Sequence, residues 1–218
     1  MRLRLGTPRS VLVIAPHPDD ETVGAWALMA RLRRRGALVR VLVVTDGAAS
    51  HPGSARWPRA RLVHERQRET RRAMRAIGMG AGDLAYLGLR DGALGNTPAL
   101  ARRGIGRAVR RARRPLLLVY PAPDDDHADH RATAVAAARF GGAAIRRLAY
   151  PVWPAGRAVR GARAVILTAQ QRLAKRQAVR SYRTQTGRIT DDPAGFALSR
   201  TQIATFSRPR ELFVEHRR

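Results

Sequence analysis

Short, continuous apolar runs alternate along this chain with segments whose apolar residues recur at helical spacing. The first run is Val11 to Ala15 and the second is Leu38 to Thr45. Continuous β-branched runs are typical of strands buried on both faces, as in a parallel sheet. The segment between them, about 21–35, has helical periodicity and is followed by Gly36, a common helix stop. The pattern predicts a strand, a helix and a strand, the βαβ unit of a parallel sheet.

The same alternation continues to about residue 152 and then becomes less regular. Further helices are expected at about 59–77, 98–113, 131–140 and 168–181. Further strands are expected at about 84–87, 115–120 and 147–152, with edge strands within 159–167 and 211–216. The sequence therefore predicts one domain over residues 1–218, with a core at about 11–152 and a more variable part at about 153–218. The predicted fold class is α/β, a Rossmann-like three-layer αβα sandwich with a mostly parallel sheet.

Polar loops follow the predicted strands, and two of them are rich in histidine and aspartate. They cover about 15–21, after the first strand, and about 121–130, after the fourth. Their candidate functional residues are His17, Asp19, Asp20, His127, Asp129 and His130. In an open parallel sheet, ligands bind outside the carboxyl ends of the strands. We therefore expect both loops to contribute to one active site at that edge.

The residue types in these loops favour a metal site. The chain has no cysteine, so any metal must be held by His, Asp or Glu. His17, Asp20 and His130 would supply three ligands to a catalytic Zn²⁺, although these ligands do not by themselves exclude another divalent metal. Each loop alone is a weak signal because acidic residues are common at helix N-termini. The two loops together, at one sheet edge, favour a metal.

The remaining residues of these loops suggest how a metal-activated water would be used. Asp19 could serve as general base on that water. His127 could stabilise the developing oxyanion or protonate a leaving amine. Asp129 could fix the tautomer of His127, as carboxylate–histidine pairs do.

The net charge of +26 is the most unusual global feature. The cations are spread along most of the predicted helices and aromatic residues make up only 5% of the chain, so we interpret them as a solvated arginine-rich surface. Peripheral attraction to an anionic membrane is a further expectation. The alternative from another class, a basic nucleic-acid-binding protein, predicts tight, salt-sensitive binding, and no binding at physiological salt would reject it.

Two further features bear on location. No apolar run approaches the roughly 20 residues of a membrane-spanning helix. The N-terminal apolar run is interrupted by Pro16 and Pro18, whereas a secretory signal needs about 7–15 apolar residues and a cleavage site. We therefore expect a cytoplasmic protein without a transmembrane segment.

Several short motifs follow one another along the chain, and the most specific are APHPDDE at 15–21 and DDDHADHRAT at 124–133. Between them lie TDG at 45–47, an R-x-x-E pair at Arg66 and Glu69, and LGLRDG at 87–92, and weaker motifs continue to Gln185. Taken in order, these motifs resemble those of the N-acetylglucosaminyl-phosphatidylinositol de-N-acetylase family, also called PIG-L or LmbE-like. The resemblance implies a Rossmann-like fold and zinc-dependent removal of the N-acetyl group from an N-acetylglucosamine-type glycoside or glycolipid.

The resemblance also implies roles for individual residues. The metal ligands would be His17, Asp20 and His130, with Asp19 as the base and His127 assisting the oxyanion and leaving group. Arg66 and Asp91 would contact sugar hydroxyls. The chain departs from the family at HADH, where HPDH is usual, and at Tyr182, where histidine is usual. A zinc amidase acting on another amide, such as a thiol conjugate or an antibiotic glycoside, is the nearest alternative, because it would use the same residues.

Overall fold

A mostly parallel sheet of seven strands forms the centre of the structure, a computed structural model that describes residues 1–216. The strands are β1 (Ser10–Ala15), β2 (Leu38–Thr45), β3 (Leu84–Leu89), β4 (Leu116–Pro121), β5 (Ile145–Tyr150), β6 (Arg163–Ile166) and β7 (Arg210–His216). Their order is β3-β2-β1-β4-β5-β7-β6. Strands β1 to β5 are parallel, and β7 is antiparallel to both β5 and β6. The expected mostly parallel α/β sheet is confirmed.

Helices cover both faces of this sheet. They are α1 (Asp20–Arg34), α2 (Arg59–Arg75), α3 (Pro98–Arg111), α4 (Ala128–Ala138), α5 (Ala169–Arg180) and α6 (Arg200–Phe206). Val11 and Val13 of β1 belong to one apolar cluster, with α1 and α5, while Leu12 and Ile14 belong to the other, with α3 and α4. Because successive side chains of a strand point to opposite faces, the uninterrupted apolar run supplies both clusters. No helix within residues 1–216 is long and apolar enough to cross a membrane.

Two helices differ from the sequence prediction. Helix α4 begins at Ala128, three residues earlier than expected, because the His127 side chain caps it by accepting a hydrogen bond from the backbone N–H of Asp129. His130 therefore lies in its first turn. Helix α6 was not predicted, although Ser199 and Gln202 form a reciprocal capping box at its start.

The strand order places the two polar loops side by side. The chain passes from β1 outward to β2 and β3, and then returns to β4 on the other side of β1. The loops that follow β1 and β4 consequently diverge at the point where the strand order reverses, which is the usual ligand-binding position of such sheets.

Helix α1 is kinked directly behind the site. Ala25 has φ −139°, and the backbone N–H groups of Ala27 and Leu28 donate to the Glu211 carboxylate at 2.7 and 3.0 Å. Buried Lys175 completes this contact by donating to Glu211 at 2.7 Å and to the carbonyl of Val23 at 2.8 Å. At the kink, a side-chain pair from β7 and α5 therefore supplies partners for two backbone N–H groups and one carbonyl of the helix.

Glycine at position 24 allows the same helix to lie close to β5. A Cβ atom added to Gly24 would be only 2.1 Å from Cδ2 of Tyr150, a fully buried residue. Any larger side chain would push α1, and with it Asp20 at its start, away from the sheet.

Replacing Glu211 tests the bracing of the kink. We expect Glu211→Ala to lower the free energy of unfolding by about 3–5 kcal/mol, because it leaves the buried Lys175 ammonium without a counter-charge and two backbone N–H groups unpaired. Urea denaturation measures the change. The matched control, Glu215→Ala, breaks partly exposed pairs with Arg146 and Arg163 and should cost less, about 1 kcal/mol. Equal losses in the two variants would contradict the bracing role.

Candidate active site

The loop after β1 is fixed to the sheet before it reaches the site. The backbone N–H and the hydroxyl of Thr45, at the end of β2, both donate to the carbonyl of Pro16 at 2.9 Å. The backbone N–H of His17 then donates to Asp20 Oδ2 at 2.9 Å. Helix α1 begins at Asp20, so the carboxylate is held at a helix N-terminus, where negative charge is favourable.

Three potential ligand atoms form a nearly equilateral triangle at this edge. His17 Nδ1 lies 3.2 Å from Asp20 Oδ2, His130 Nε2 lies 3.2 Å from the same oxygen, and the two nitrogens are 3.3 Å apart. Ligand atoms that share a tetrahedral zinc at its usual bond lengths are roughly 3.4 Å apart. The three residues have exposed fractions of 8%, 3% and 0%, respectively. The geometry fits one metal ion with three protein ligands.

Three carboxylates surround the ring of His17 and favour positive charge at this position. Its Nε2 lies 3.0 Å from Asp91 Oδ1 and 3.4 Å from Asp129 Oδ2, in addition to the contact of Nδ1 with Asp20. Burial alone would lower the pKa of His17, but hydrogen bonds to these three carboxylates raise it well above its usual value. The three carboxylates therefore favour either a protonated ring or another cation beside it.

His130 has the same electrostatic environment. Burial lowers its pKa, but the charge of Asp20 and hydrogen bonds to Asp125 and Asp20 raise it to about 9. Burial would raise the pKa of Asp20, but the charge and hydrogen bond of His130 and those of His17 lower it well below its usual range. A divalent cation between these groups would replace the protons on both imidazoles and neutralise the carboxylate.

Asp19 is the only non-glycine residue with positive φ in the part of the chain that the structure describes. Its φ of 143° is a strained conformation for a residue with a Cβ atom. Its backbone N–H donates to Glu21 Oε2 at 3.1 Å, and its carboxylate accepts from Arg66 Nη2 at 3.1 Å. Burial raises the pKa of Asp19 to about 7, although the Arg66 charge opposes the shift. Asp19 and Asp20 are thus neighbours in sequence with different partners and opposite pKa shifts.

His127 lies at the side of the same centre. Its ring centroid is 4.6 Å from that of His17 and 5.0 Å from that of His130. Burial and the nearby histidine charges lower its pKa, which favours the neutral ring. Nδ1 accepts from the backbone N–H of Asp129 at 3.2 Å, so the neutral ring carries its proton on Nε2.

The carboxylate of Asp129 does not lie where we expected it. It accepts from the backbone N–H groups of Gly92 at 2.7 Å and Leu94 at 3.1 Å, and it lies beside His17. The expectation that this carboxylate orients His127 is wrong for a physical reason: Asp129 is in the first turn of α4 and points towards the loop after β3. Its backbone N–H, rather than its side chain, fixes the tautomer of His127.

Arg66 and Asp91 both line the cleft, but protein groups already pair with both terminal nitrogens of Arg66 and with the carboxylate of Asp91. Arg66 has an exposed fraction of 2% and donates to the carbonyls of Gly47 at 2.6 Å and Pro18 at 2.8 Å, besides Asp19. Asp91 accepts from the backbone N–H of Ala49 at 2.9 Å and contacts His17. In this structure both residues position the site, and their expected contact with sugar hydroxyls stays a prediction.

Sequence reasoning missed the role of Asp125. Its Oδ1 lies 3.3 Å from His130 Nδ1, and its Oδ2 accepts from the backbone N–H groups of Val152 and Trp153 at 3.1 and 2.9 Å. A carboxylate on the second nitrogen of a ligand histidine fixes the ring orientation. The run Asp124-Asp125-Asp126 contained the residue, but nothing in the sequence distinguished it from its two neighbours.

Tyr182, the departure from the family pattern, is also part of this support. Its hydroxyl donates to Glu21 Oε1 and lies 2.9 Å from the hydroxyl of Thr22. Glu21 also accepts a hydrogen bond from the backbone N–H of Asp19. Glu21 therefore links Tyr182 to the strained Asp19. Burial raises the pKa of Glu21 to about 7, although the hydrogen bond from Tyr182 opposes this shift.

A cleft of about 500 Å³ opens at this site. Its polar lining includes His17, Asp19 and His127, and Trp153, Phe196 and Phe206 form an apolar wall of the same cleft. The volume lies within the usual range of small-molecule sites.

The family model for GlcNAc-PI de-N-acetylase (PIG-L) matches residues 12–140, more than half of the 218 residues. The chain belongs to this family. The resemblance noted in the sequence is therefore confirmed. The family match covers β1 to α4, which carry every candidate ligand, and it ends before the segment that supplies the apolar wall.

Two curated relatives are similar over part of their length. A 1D-myo-inositol 2-acetamido-2-deoxy-α-D-glucopyranoside deacetylase of Mycobacterium avium is 34% identical over 147 residues, covering 57% of this chain and 48% of the relative. A probable N-acetyl-α-D-glucosaminyl L-malate deacetylase 2 of Bacillus anthracis is 32% identical over 133 residues, covering 60% and 58%, respectively. The chain thus spans only about half of the length of each.

Solved structures share the fold. The conserved protein TT1542 of Thermus thermophilus superposes with a TM-score of 0.65 and 26% identity, over 94% of this chain and 93% of that protein. The N,N'-diacetylchitobiose deacetylase of Pyrococcus horikoshii superposes with a TM-score of 0.61 and 20% identity, over 83% of this chain and 72% of that protein. The 4-carboxy-2-hydroxymuconate hydratase GalB of Pseudomonas putida superposes with a TM-score of 0.67 and 15% identity, over 92% of this chain and 83% of that protein. Because the fold is shared with a hydratase, the function must be argued from the site.

Replacing Arg66 tests whether it positions the loop that carries Asp19. We expect Arg66→Lys to lower the free energy of unfolding by about 2–4 kcal/mol, because an ammonium cannot reproduce the buried fork of hydrogen bonds to three acceptors. Thermal denaturation measures the change. The control, Arg68→Lys, alters a half-exposed arginine on the same helix and should change stability by about 0.5 kcal/mol or less. Equal stability of Arg66→Lys and the parent protein would contradict the positioning role.

Proposed function

We propose that the protein is a zinc-dependent N-deacetylase that hydrolyses the N-acetyl group of an N-acetylglucosamine-type sugar or glycoconjugate. The observation that carries the proposal is the triangle of His17 Nδ1, Asp20 Oδ2 and His130 Nε2, two of whose residues, His17 and Asp20, line a cleft in a member of the PIG-L family. The names of the two relatives, both deacetylases of glucosaminyl compounds, support the substrate class.

The donor set supports a metal with oxygen and nitrogen preference. Two neutral imidazoles and one carboxylate are a usual ligand set of catalytic zinc, and they leave a fourth position open. Zinc bound there would act as a Lewis acid and lower the pKa of water to near neutral. Asp91, Asp125 and Asp129 hold the rings of His17 and His130 from their outer nitrogens, which keeps the other nitrogens directed at the centre.

Asp19 is the residue we assign as general base. A base is most effective when its pKa is close to the working pH, and burial brings the Asp19 carboxyl to about 7. Arg66 fixes the direction of the carboxylate, and the strained backbone separates it from the neighbouring ligand Asp20. The proton that Asp19 takes from water can later be given to the leaving amine nitrogen.

His127 is the residue we assign to the acetyl oxygen. As a neutral ring with its proton on Nε2, it can donate a hydrogen bond to the oxygen on which negative charge develops when water attacks the amide carbon. Because the ring is neutral, it keeps this proton, and the leaving amine receives the proton that Asp19 has taken from water. Expected products are acetate and the free amino sugar.

Metal analysis tests the ligand assignment. We expect about one divalent ion per chain after dialysis, and loss of that ion in His17→Ala and His130→Ala, because each removes one of three ligands. His64→Ala, which changes an exposed histidine on α2, is the control and should keep the metal. Full metal content in either ligand variant would show that the ion is bound elsewhere.

Replacing the proposed base separates catalysis from binding. We expect Asp19→Asn to retain the metal and the fold but to lose about 10²–10⁴-fold in kcat, the usual contribution of a general base. Release of free amine from N-acetylglucosamine glycosides with different aglycones, including myo-inositol and L-malate, provides the assay. Asp83→Asn, at a distant partly exposed pair with Arg33, should leave the rate unchanged. A fully active Asp19→Asn would remove Asp19 from the mechanism.

A further inference from the structure

The aromatic side chains that line the cleft on its apolar side come from the part of the chain beyond the family match. The main members of this apolar wall are Val152, Trp153, Pro154, Phe196 and Phe206. Trp153 packs edge-to-face against Phe196, with centroids 5.9 Å apart, and against Phe206, with centroids 5.6 Å apart. These rings form one continuous aromatic surface that faces the cleft.

This surface is joined directly to the candidate metal centre. Asp125 contacts the His130 ring with one carboxylate oxygen and accepts the backbone N–H groups of Val152 and Trp153 with the other. One buried side chain therefore sets both the orientation of a ligand histidine and the position of the aromatic wall. The wall therefore lines the same cleft as His17, Asp19 and His127 of the centre.

Phe196 is exposed although its backbone is firmly held. Its side chain is 38% exposed, yet its N–H donates to the carbonyl of Ser50 at 2.7 Å. Two residues later, the N–H of Leu198 donates to the carbonyl of Gln185 at 2.7 Å. Asp191 and Asp192 tie the same segment to the loop after β2, through Ser54 and Gly53. An aromatic ring held in water by such contacts is a feature of ligand-binding surfaces.

The charge of the cleft differs from the charge of the molecule. The chain carries +26, but Arg66 is the only arginine or lysine among the described residues that line the cleft. Its guanidinium is 2% exposed and already donates to three protein acceptors. The other charged lining residues include Asp19, Asp91 and Asp126. An anionic group placed against the wall would find no free cation there and would be near carboxylates.

We propose that this wall is a specificity subsite for an uncharged, apolar aglycone on the amino sugar, a statement that rests on the function proposed above. Apolar atoms of the aglycone would be removed from water against Trp153 and Phe196, while the N-acetyl group lies at the centre. The substrate would differ in this respect from those named for the two relatives, whose aglycones are a polyol and a dicarboxylic acid.

Three matched glycosides test the subsite. The zinc-loaded protein is assayed for acetate release from the methyl, phenyl and 4-carboxyphenyl α-glycosides of N-acetylglucosamine. We expect kcat/KM for the phenyl glycoside to exceed that for the methyl glycoside by about tenfold or more, since a phenyl group buries a large apolar area. The 4-carboxyphenyl glycoside should lose most of this advantage, because its carboxylate has no partner.

The outcomes separate the two proposals. Hydrolysis of all three at similar rates, or preference for the carboxylate, would overturn the subsite and leave the deacetylase function standing. Hydrolysis of none would overturn the proposed function and the subsite with it.

Substitutions test which side chains cause the preference for the phenyl glycoside. Phe196→Ala should reduce the phenyl-to-methyl ratio of kcat/KM by about fivefold or more, and calorimetry should show weaker binding of the phenyl glycoside. The control, Leu173→Ala, removes a 59% exposed apolar side chain of α5 and should keep the ratio. An unchanged ratio in Phe196→Ala would overturn the assignment of this wall.

Discussion

Buried carboxylates around two buried imidazoles are the constraint on which the rest of this site depends. Asp20, Asp125 and Asp129 are at most 3% exposed, and each lies beside His17 or His130. Charges removed from water in this way are costly unless they are paired and hydrogen-bonded. Backbone N–H groups, helix N-termini and the two histidines pair with these carboxylates. One cation at the centre would balance the negative charge that remains.

The same requirement connects distant parts of the chain. The loops after β1, β3 and β4 all supply a group to the centre, and the loop after β2 holds Asp91 through the backbone N–H of Ala49, so the sheet edge must be held in one arrangement. The segment beyond residue 153 provides the support: Lys175 and Glu211 hold the kink of α1, and Tyr182 holds Glu21 and, through it, Asp19. This segment also supplies Phe196 and Phe206, so the part of the chain that braces the centre also shapes the cleft above it.

The sequence predicts those features that depend on local composition. Strands β1, β2 and β4 were found because a strand buried on both faces must be apolar throughout. The pairing of the two polar loops followed from the rule that parallel strands end at the same edge. The sequence could not show which carboxylate of 124–126 orients His130, because that depends on backbone N–H groups some 27 residues later in the chain. It also placed the Asp129 carboxylate on the wrong histidine, since the position of α4 relative to the β3 loop is a tertiary feature. The contact between Glu211 and the kink of α1, 184 residues apart, has no local signal at all.

Anomalous X-ray diffraction at the zinc edge, from crystals of the protein grown with zinc, tests the central claim most directly. The account predicts a single strong peak bonded to His17 Nδ1, Asp20 Oδ2 and His130 Nε2, at about 2.0–2.2 Å from each. A peak held by other residues, or a centre that stays free of metal while His17 remains paired with its three carboxylates, would contradict it.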